Sequence, residues 1–263
     1  MPSAHDYRDL ILRWRRIARE GGLVMRAFAE ESGHRVYYVK SKALEKTGGL
    51  YISAGIHGDE PGATEGLAAW AENNLKQLGG LPMIIFPCLN PWGLVNNSRL
   101  DEHGRDLNRT FQHDEACAIH TLKELIKPFR FECAMMMHED YDAQGVYLYE
   151  LKRAEPYWGE ALLGAASPFV PVDPRTRIEG RKAVGGLVRR KIDPKRFRKM
   201  GLPEAIYLHT HHAARTFTVE TPSEFALDQR VRAQAAMVQD SCASRANPSC
   251  QMAEGSERAF YSC

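Results

Sequence analysis

Histidine and carboxylate side chains lie in or directly after three apolar, strand-like runs of the chain. His57 and Glu60 are three residues apart in the segment AGIHGDEPGATEG, which follows the run YIS. His138 closes the run CAMMM, and Glu220 closes the run TFTV. A fourth apolar run, IIFPC, ends shortly before Asn90. Because ligand sites of open α/β sheets gather at the carboxyl ends of the strands, we expect these groups to meet at one edge of a sheet.

Two imidazoles and one carboxylate make a suitable ligand set for catalytic zinc. Such a set leaves the fourth coordination position open for water. Zinc lowers the pKa of bound water to about 7, and a separate carboxylate must then take the proton and pass it to the leaving group. The sequence therefore indicates His57, Glu60 and His138 as ligands and Glu220 as the candidate general base.

Each of these residues also has a simpler interpretation when it is considered alone. His57 and Glu60 are compatible with a solvated polar turn, and His138 with a hydrogen-bonded core histidine. Glu220 is compatible with a buried salt bridge. Glu139 is interpreted as a neighbour of the site, because adjacent residues of a strand point to opposite faces.

The elements that must position these side chains alternate between β and α along the chain. Apolar residues at helical spacing predict helices, and apolar runs bounded by Gly, Pro and Asn predict strands. A long polar loop covers residues 90–111, and loops of this length in compact domains are usually functional or disordered. The predicted helices are 5–31, 61–76, 113–127 and 223–240, and the predicted strands are 36–40, 48–58, 81–89, 132–139, 146–151 and 215–222.

Five motifs occur in a fixed order between residues 54 and 223. They are GIHGDE, NPWG, GRDLNRTF, the strand-end His138 and VETPS. Together they resemble the zinc carboxypeptidase family, and most closely its short bacterial carboxypeptidase and murein-peptide amidase type. The same core is shared with the succinylglutamate desuccinylase and aspartoacylase branch. The resemblance implies one Zn²⁺ per chain, held by His57, Glu60 and His138, with Glu220 as general base and acid.

The loop motif GRDLNRTF implies a site for a substrate carboxylate. Asn108 and Arg109 match the pair that binds the free carboxylate in the family, and an Arg guanidinium can hold a carboxylate through two parallel hydrogen bonds. The family often uses a mobile tyrosine beside this carboxylate. Tyr207 is the candidate for that role by its position only.

The same loop implies two further roles. Arg99 matches the arginine that polarises the scissile carbonyl and stabilises the oxyanion, although Arg105 is an alternative in the same loop. Preorganised positive charge of this kind can contribute roughly 3 kcal/mol or more. Asp106 matches an acid that orients a zinc-bound histidine, here His57.

The motifs and the predicted elements together favour an α/β fold. We expect a single-domain mixed β-sheet flanked by helices on both faces, as in zinc carboxypeptidases. Residues 1–241 are predicted to form the catalytic domain, and residues 242–263 a polar C-terminal tail.

The resemblance implies hydrolysis of an amide bond next to a free carboxylate, in a peptide or an acyl-amino-acid substrate. The alternative is an N-acyl amino acid deacylase of the aspartoacylase or succinylglutamate desuccinylase type. Those enzymes carry an extra C-terminal β domain, whereas only 43 residues follow Glu220. The peptidase type is therefore favoured. A non-catalytic zinc-binding or nucleic-acid-binding protein is the alternative from another class.

Composition adds few constraints. The formal net charge of +2 is too near neutral to favour nucleic acid over the whole surface. The N-terminal segment MPSAHDYRDLILRWRRIARE is typical of an amphipathic helix rather than a signal peptide. No apolar run approaches the ~20 residues that span a bilayer. We expect a cytoplasmic protein without a membrane partner, and the sequence does not indicate its oligomeric state.

A basic stretch covers residues 175–201, with eleven Lys or Arg and two acids. A solvated loop is the simplest interpretation. Attraction of an acidic substrate is an alternative, and nucleic-acid binding is less favoured because only Phe197 is available for stacking.

The remaining histidines and cysteines are assigned no chemistry. The histidines at 209, 211 and 212 are expected in a loop near the mouth of the site. Cys88 and Cys133 are expected as buried free thiols, and the cysteines at 242, 250 and 263 lie in the polar C-terminal stretch without evident partners.

Overall fold

The computed structural model of the protein describes residues 4–113, 116–152, 155–189, 192, 197 and 201–246. An eight-stranded mixed sheet forms the centre of the molecule, in the order β1-β2-β4-β3-β5-β10-β6-β9. Its strands are β1 Val24–Glu31, β2 His34–Lys40, β3 Leu50–Ser53, β4 Met83–Phe86, β5 Phe131–Asp140, β6 Tyr147–Lys152, β9 Leu187–Arg189 and β10 Ala213–Pro222. A separate hairpin consists of β7 Arg177–Ile178 and β8 Arg181–Lys182.

The helices cover both faces of this sheet. They are α1 Tyr7–Glu20, α2 Pro61–Asn73, α3 Leu75–Leu78, α4 Pro91–Asn96, α5 Cys117–Ile126, α6 Gly159–Ala166, α7 Glu204–His211 and α8 Leu227–Ala246, with a 3₁₀ turn at Leu107–Arg109. The structure thus confirms the predicted α/β class and the mixed sheet between two helical layers.

Four central strands run parallel to one another. β4, β3, β5 and β10 are neighbours in this order, and β2 and β6 pair antiparallel to the outer two of them. Parallel strands that are covered on both faces have near-continuous apolar sequences, and every residue of Met83–Phe86 is buried. Parallel direction brings the carboxyl ends of β3, β5 and β10 to one edge of the sheet.

Two apolar cores lie on opposite faces of the sheet. One packs Trp14 of α1, Trp70 of α2 and Met237 of α8 against Ile52 and Met135. The other packs α5 and α7 against the alternate strand residues, among them Tyr51, Phe86 and Met136. None of the described helices combines the length and the apolar character needed to cross a membrane.

The N-terminal part of the sheet differs from the prediction. The helix predicted over residues 5–31 ends at Glu20, and Val24–Glu31 is the edge strand β1, antiparallel to β2. The helix ends because Gly21 makes the last backbone bond to Ile17 and Gly22 takes a positive φ of 67°, a conformation that glycine adopts readily.

Other boundaries also move. The helix predicted over residues 223–240 runs from Leu227 to Ala246, so the start of the predicted tail is helical and Cys242 is buried. The loop predicted over residues 90–111 contains α4 and the 3₁₀ turn. Cys88 and Cys133 are buried free thiols, as predicted. Residues 247–263, which include the cysteines at 250 and 263, lie outside the described residues.

Candidate metal centre and catalytic pocket

Three buried side chains converge at the carboxyl edge of the parallel strands. The Nδ1 atom of His57 lies 2.6 Å from Oε1 of Glu60, and the Nδ1 atom of His138 lies 2.8 Å from Oε2 of the same carboxylate. One donor atom from each residue lies within 4.8 Å of the other two. The exposed fraction is only 2–3% for each residue. The structure therefore brings the three predicted metal ligands together.

Tight backbone turns place the first two of these residues. Gly55 follows β3 with a positive φ of 63°, and a Cβ atom at Gly58 would overlap the backbone of Gly93. These turns lead from the end of β3 into helix α2, which begins at Pro61, four residues after His57. Glu60 is the N-cap residue of α2, and Pro61 occupies the first helical position, where its missing N–H costs no hydrogen bond. His138 comes instead from within β5, beside Glu220 of β10 in the strand register.

Asp106 contacts the imidazole of His57 on the side away from Glu60. Its Oδ1 atom lies 3.2 Å from Nε2 of His57 and also accepts the backbone N–H of Asn108 at 2.9 Å. With Nε2 facing Asp106, Nδ1 is the ring nitrogen that faces Glu60. This is the arrangement by which a carboxylate fixes the tautomer of a metal-binding histidine.

The electrostatics of the metal-free centre are those of a buried ion cluster. Burial lowers the pKa of His57, but the Glu60 carboxylate and hydrogen bonds to Asp106 and Glu60 outweigh this effect and raise the pKa to about 9. Burial raises the pKa of Glu60, but His138 and His57 outweigh this effect and lower the pKa to about 2. These shifts favour protonated imidazoles on either side of the Glu60 carboxylate. Two imidazole nitrogens and one carboxylate fit a divalent metal, which would replace those protons.

A cavity of about 180 Å³ opens beside the metal centre. The sheet contributes Met136, Thr218 and Leu151 to its lining, and the start of α7 contributes Pro203 and Ile206. Charged, amide and hydroxyl groups also line the cavity, namely Arg99, Asn108, Arg109, Glu139, Asp140, Tyr147, Tyr149, Glu179 and Glu220. The cavity thus combines charged and polar side chains with apolar side chains from the sheet and from the start of α7.

Glu220 faces this cavity next to the metal centre. Among the described residues its carboxylate makes no hydrogen bond or ion pair within bonding distance. Burial raises the pKa of Glu220 well above its usual range, with the Glu60 carboxylate adding to the shift and His138 opposing it. A carboxyl group with a raised pKa can take up and return a proton near neutral pH.

The two arginines of the predicted oxyanion site are separated by the structure. Arg99 lines the cavity, with Nη1 3.5 Å from Oε1 of Glu60 and Nη2 3.2 Å from Oδ2 of Asp106. Arg105 instead pairs with Asp101 at 2.7 Å within its own loop and does not line the cavity. Of the two alternatives, Arg99 is therefore the one placed at the candidate site.

Asn108 and Arg109 lie at the cavity wall on the 3₁₀ turn. The side-chain oxygen of Asn108 accepts the backbone N–H of Glu204 at 2.9 Å, so its amide N–H groups keep their donor capacity. Arg109 is exposed and donates to the Asn108 carbonyl at 2.8 Å. No carboxylate of the described residues lies within ion-pair distance of Arg109.

Tyr207 is not brought to the cavity. Its ring packs against Phe111 at 5.6 Å, His211 at 5.0 Å and His212 at 5.4 Å between centroids. The tyrosines that do line the cavity are Tyr147 and Tyr149 of β6. Sequence reasoning missed them, although the alternation in VYLYEL places both on one face of the strand.

The prediction of a histidine loop near the mouth of the site is wrong. His209 and His211 belong to helix α7, and His212 is its C-cap residue. Nδ1 of His212 lies 3.0 Å from the Phe129 carbonyl oxygen, next to the first residues of β5 and β10. These histidines therefore lie towards the amino ends of the parallel strands, whereas the candidate site lies at the carboxyl ends.

The basic stretch is described only in part. Its hairpin β7–β8 and strand β9 are described, whereas residues 190–191, 193–196 and 198–200 are not. Glu179 stands in the two-residue hairpin turn and lines the cavity, and its Oε2 atom accepts the Tyr149 hydroxyl at 2.5 Å. The stretch thus contributes one acid, rather than its described cations, to the lining of the site.

Comparison with known proteins identifies relatives of this fold. Residues 46–138 match the family model of the succinylglutamate desuccinylase/aspartoacylase catalytic domain. A protein of Shewanella amazonensis, assigned provisionally to the metallopeptidases, matches in structure with a TM-score of 0.79 and 20% identity, over 90% of this chain and 92% of that one. No curated protein sequence matches the chain.

Two further structures have related folds. A metallo-carboxypeptidase of Burkholderia cenocepacia matches with a TM-score of 0.68 and 13% identity, over 92% of this chain and 69% of that one. The murein-tripeptide amidase of Escherichia coli O157 matches with a TM-score of 0.54 and 18% identity, over 82% and 90%. This chain has the metallocarboxypeptidase-like fold. The resemblance predicted from the sequence is confirmed, with the family-model match spanning His57 to His138.

Metal binding gives the first test of the site. Chelator-treated protein should bind one Zn²⁺ and release roughly one to two protons at pH 7, because the imidazoles lose protons when they ligate metal. Calorimetry in buffers of different ionisation enthalpy measures both quantities. His57→Ala and His138→Ala should weaken binding by more than the roughly 10–100-fold typical of losing an outer partner. The exposed His120→Ala is the control, and equal affinity in all four proteins would contradict a metal site here.

Proposed function

We propose that the protein is a zinc-dependent hydrolase that cleaves an amide bond next to a free carboxylate, in the manner of a metallocarboxypeptidase. The observation that carries the proposal is one cavity with three different functional groups. It joins a two-histidine, one-carboxylate candidate metal centre with the carboxylate of Glu220 and the guanidinium of Arg109, neither of which forms an ion pair with another described residue. Structural likeness to metallo-carboxypeptidases and to a murein-tripeptide amidase supports this reaction class.

Asn108 and Arg109 supply the substrate anchor. The amide N–H groups of Asn108 and the guanidinium of Arg109 are donors that match a carboxylate. Within the described part of the chain no acid forms an ion pair with Arg109, which leaves it able to bind a substrate carboxylate. Holding the terminal carboxylate orients the amide bond beside it and reduces the entropic cost of reaction.

Glu220 supplies proton transfer. As a carboxylate it takes a proton from the attacking water, and as the acid it returns that proton to the departing amine. The raised pKa of Glu220 suits the second step. Zn²⁺ held by His57, Glu60 and His138 would supply Lewis-acid polarisation and an acidified water.

Arg99 supplies positive charge at the carbonyl oxygen. Its guanidinium lies between Glu60 and Asp106 at the edge of the cavity, and its side chain is 44% exposed. A positioned cation stabilises the negative charge that develops on the oxygen during attack. The contact with Asp106 also links Arg99 to the carboxylate that orients His57.

An N-acyl amino acid deacylase remains the second candidate. The family-model match over residues 46–138 favours it, because that model describes desuccinylase and aspartoacylase catalytic domains. Both reactions hydrolyse an amide next to a carboxylate with the same residues. They differ in the acyl group, which the cavity must accept as a peptide or as a small acid.

A product assay on two substrate sets distinguishes these candidates. We expect zinc-loaded protein to release C-terminal residues from ordinary or murein-type peptides, and chelation to abolish release until zinc is restored. N-acetylaspartate and N-succinylglutamate should be poor substrates. Turnover of the acyl amino acids alone would support the deacylase, and no turnover in either set would contradict the proposal.

Glu220→Gln tests the proton-transfer role. This change keeps the size of the side chain but removes the proton acceptor, so kcat should fall by roughly 10²–10⁴-fold. Zinc affinity should stay near that of the wild type, because Glu220 is not among the ligand atoms. Glu224→Gln, an exposed change four residues later, is the matched control. Equal kcat in the two variants would remove Glu220 from the mechanism.

Arg109→Ala tests the carboxylate anchor. Loss of a charged hydrogen bond costs about 1.5–3 kcal/mol, so kcat/KM for peptides with a free C-terminus should fall by roughly 10–150-fold. The deficit should be confined to those peptides. Peptides with an amidated C-terminus are the control, since the wild type and the variant should cleave them equally slowly. An equal loss on both kinds of peptide would argue against this role.

A further inference from the structure

A buried ion pair joins the end of β5 to helix α8 beside the metal centre. Both carboxylate oxygens of Glu139 accept hydrogen bonds from Nη1 of Arg230, at 2.7 and 2.8 Å. The Glu139 side chain is fully buried, and only 12% of the Arg230 side chain is exposed. Burying such a pair away from water is costly, and its net contribution to stability is often small or unfavourable.

The same carboxylate collects two further hydrogen bonds from other segments. The backbone N–H of Gly62, in the first turn of α2, donates to Oε2 of Glu139 at 2.8 Å. The hydroxyl of Thr221, at the end of β10, lies 3.3 Å from Oε1. Glu139 therefore connects α2, β10 and α8 to its own strand.

Three of the connected segments, the start of α2, β5 and β10, each carry one residue of the candidate site. Gly62 follows Glu60 by two residues, Glu139 follows His138 directly, and Thr221 follows Glu220 directly. The Glu139 carboxylate thus forms hydrogen bonds to residues one or two positions after Glu220 and Glu60, and Glu139 itself directly follows His138.

Helix α8 completes this connection. The side-chain amide of Gln234 donates to the backbone carbonyl of His138 at 2.7 Å and lies 3.0 Å from the Thr221 hydroxyl. Gln234 is one helical turn after Arg230, so a single face of α8 holds both strand ends. The helix itself contributes no residue to the cavity lining.

Gly62 shows how closely the carboxylate fits. A Cβ atom at this position would overlap the Oε1 atom of Glu139. The carboxylate is held by Arg230 and Thr221 on its other sides, so it could not move away without breaking those bonds. The absence of a side chain at residue 62 is therefore matched to the position of Glu139.

We propose that Glu139 and Arg230 are a positioning pair that sets the spacing of Glu60, His138 and Glu220, so that metal affinity and kcat depend on a pair that supplies no ligand atom to the metal. The effect on kcat rests on the proposed hydrolase function, whereas the effect on metal affinity does not. The pair acts through backbone segments, because its contacts reach the neighbours of the site residues and not their side chains.

The test compares single and double variants of the pair. Arg230→Met leaves the Glu139 charge buried without its partner, whereas Glu139→Gln with Arg230→Met removes both charges together. We expect the single variant to lose thermal stability and the double variant to regain most of it. Zinc affinity of metal-free protein should fall by roughly 10–100-fold in both, as for other outer partners of metal ligands. The kcat should fall while KM changes little. Arg230→Lys, which keeps the charge, should restore part of both losses.

A different set of ion pairs, between helices α1 and α2, provides the matched control. Arg13 of α1 pairs with Glu65 at 2.6 Å and with Glu72 at 3.1 Å, away from the cavity. Arg13→Met should lower thermal stability and leave zinc affinity and kcat unchanged. Co²⁺ absorption spectra of each variant report whether the ligand geometry has altered.

Gly62→Ala perturbs the pair without removing a charge. Its Cβ atom should displace the Glu139 carboxylate and reduce zinc affinity, whereas Gly164→Ala, where nothing lies within 4 Å, should not. Wild-type zinc affinity in folded Arg230→Met, double and Gly62→Ala proteins would overturn the proposal. If Arg230→Met does not fold, zinc affinity is compared in Arg230→Lys and Gly62→Ala instead, and wild-type affinity in both would overturn the proposal. If the wild type binds zinc but hydrolyses nothing, the hydrolase function fails and zinc affinity still tests the pair.

Discussion

The constraint on which the structure depends is the burial of one carboxylate between two imidazoles. Glu60 contacts His57 and His138 at hydrogen-bond distance with almost no exposure to water. Each ligand comes from a different element, so the contact forms only if β3 and β5 end at the same edge and α2 begins there. The parallel direction of the central strands, the glycines around His57 and the N-cap position of Glu60 all serve this one arrangement.

Much of this site could be predicted because parallel strands convert sequence position into spatial position. His57, His138 and Glu220 follow or end apolar runs, and a common strand direction brings them to one edge. Strand β1 could not be predicted in the same way, because an edge strand with mixed burial lacks a clear two-residue period. Only the sequence position of Tyr207 suggests a place at the site, and its place on helix α7 directs the ring towards Phe111 instead.

The two faces of the sheet carry different tasks. On the α5 and α7 face, β5 carries Met136, which belongs to the apolar core, and two residues later His138, a candidate metal ligand. Both side chains line the cavity. On the α2 and α8 face, Glu139 uses the intervening position of the same strand to bond to neighbouring segments. The sequence pattern predicts only that Glu139 faces away from His138. Its partner lies 91 residues further along the chain, so local periodicity holds no information about the pair.

Several groups of the cavity are less favourable in the free protein than they would be with ligands bound. Glu220 is a partly buried carboxylate near Glu60, and burial and the like charge together raise its pKa. Arg109 has no carboxylate partner among the described residues, and the Glu60 carboxylate raises the pKa of both His57 and His138. A divalent cation at the centre would relieve the repulsion among these carboxylates, and a substrate carboxylate would pair with Arg109. Because no described residue forms an ion pair with Glu220 or Arg109, their placement in one cavity is better explained by the proposed binding and catalysis than by stability.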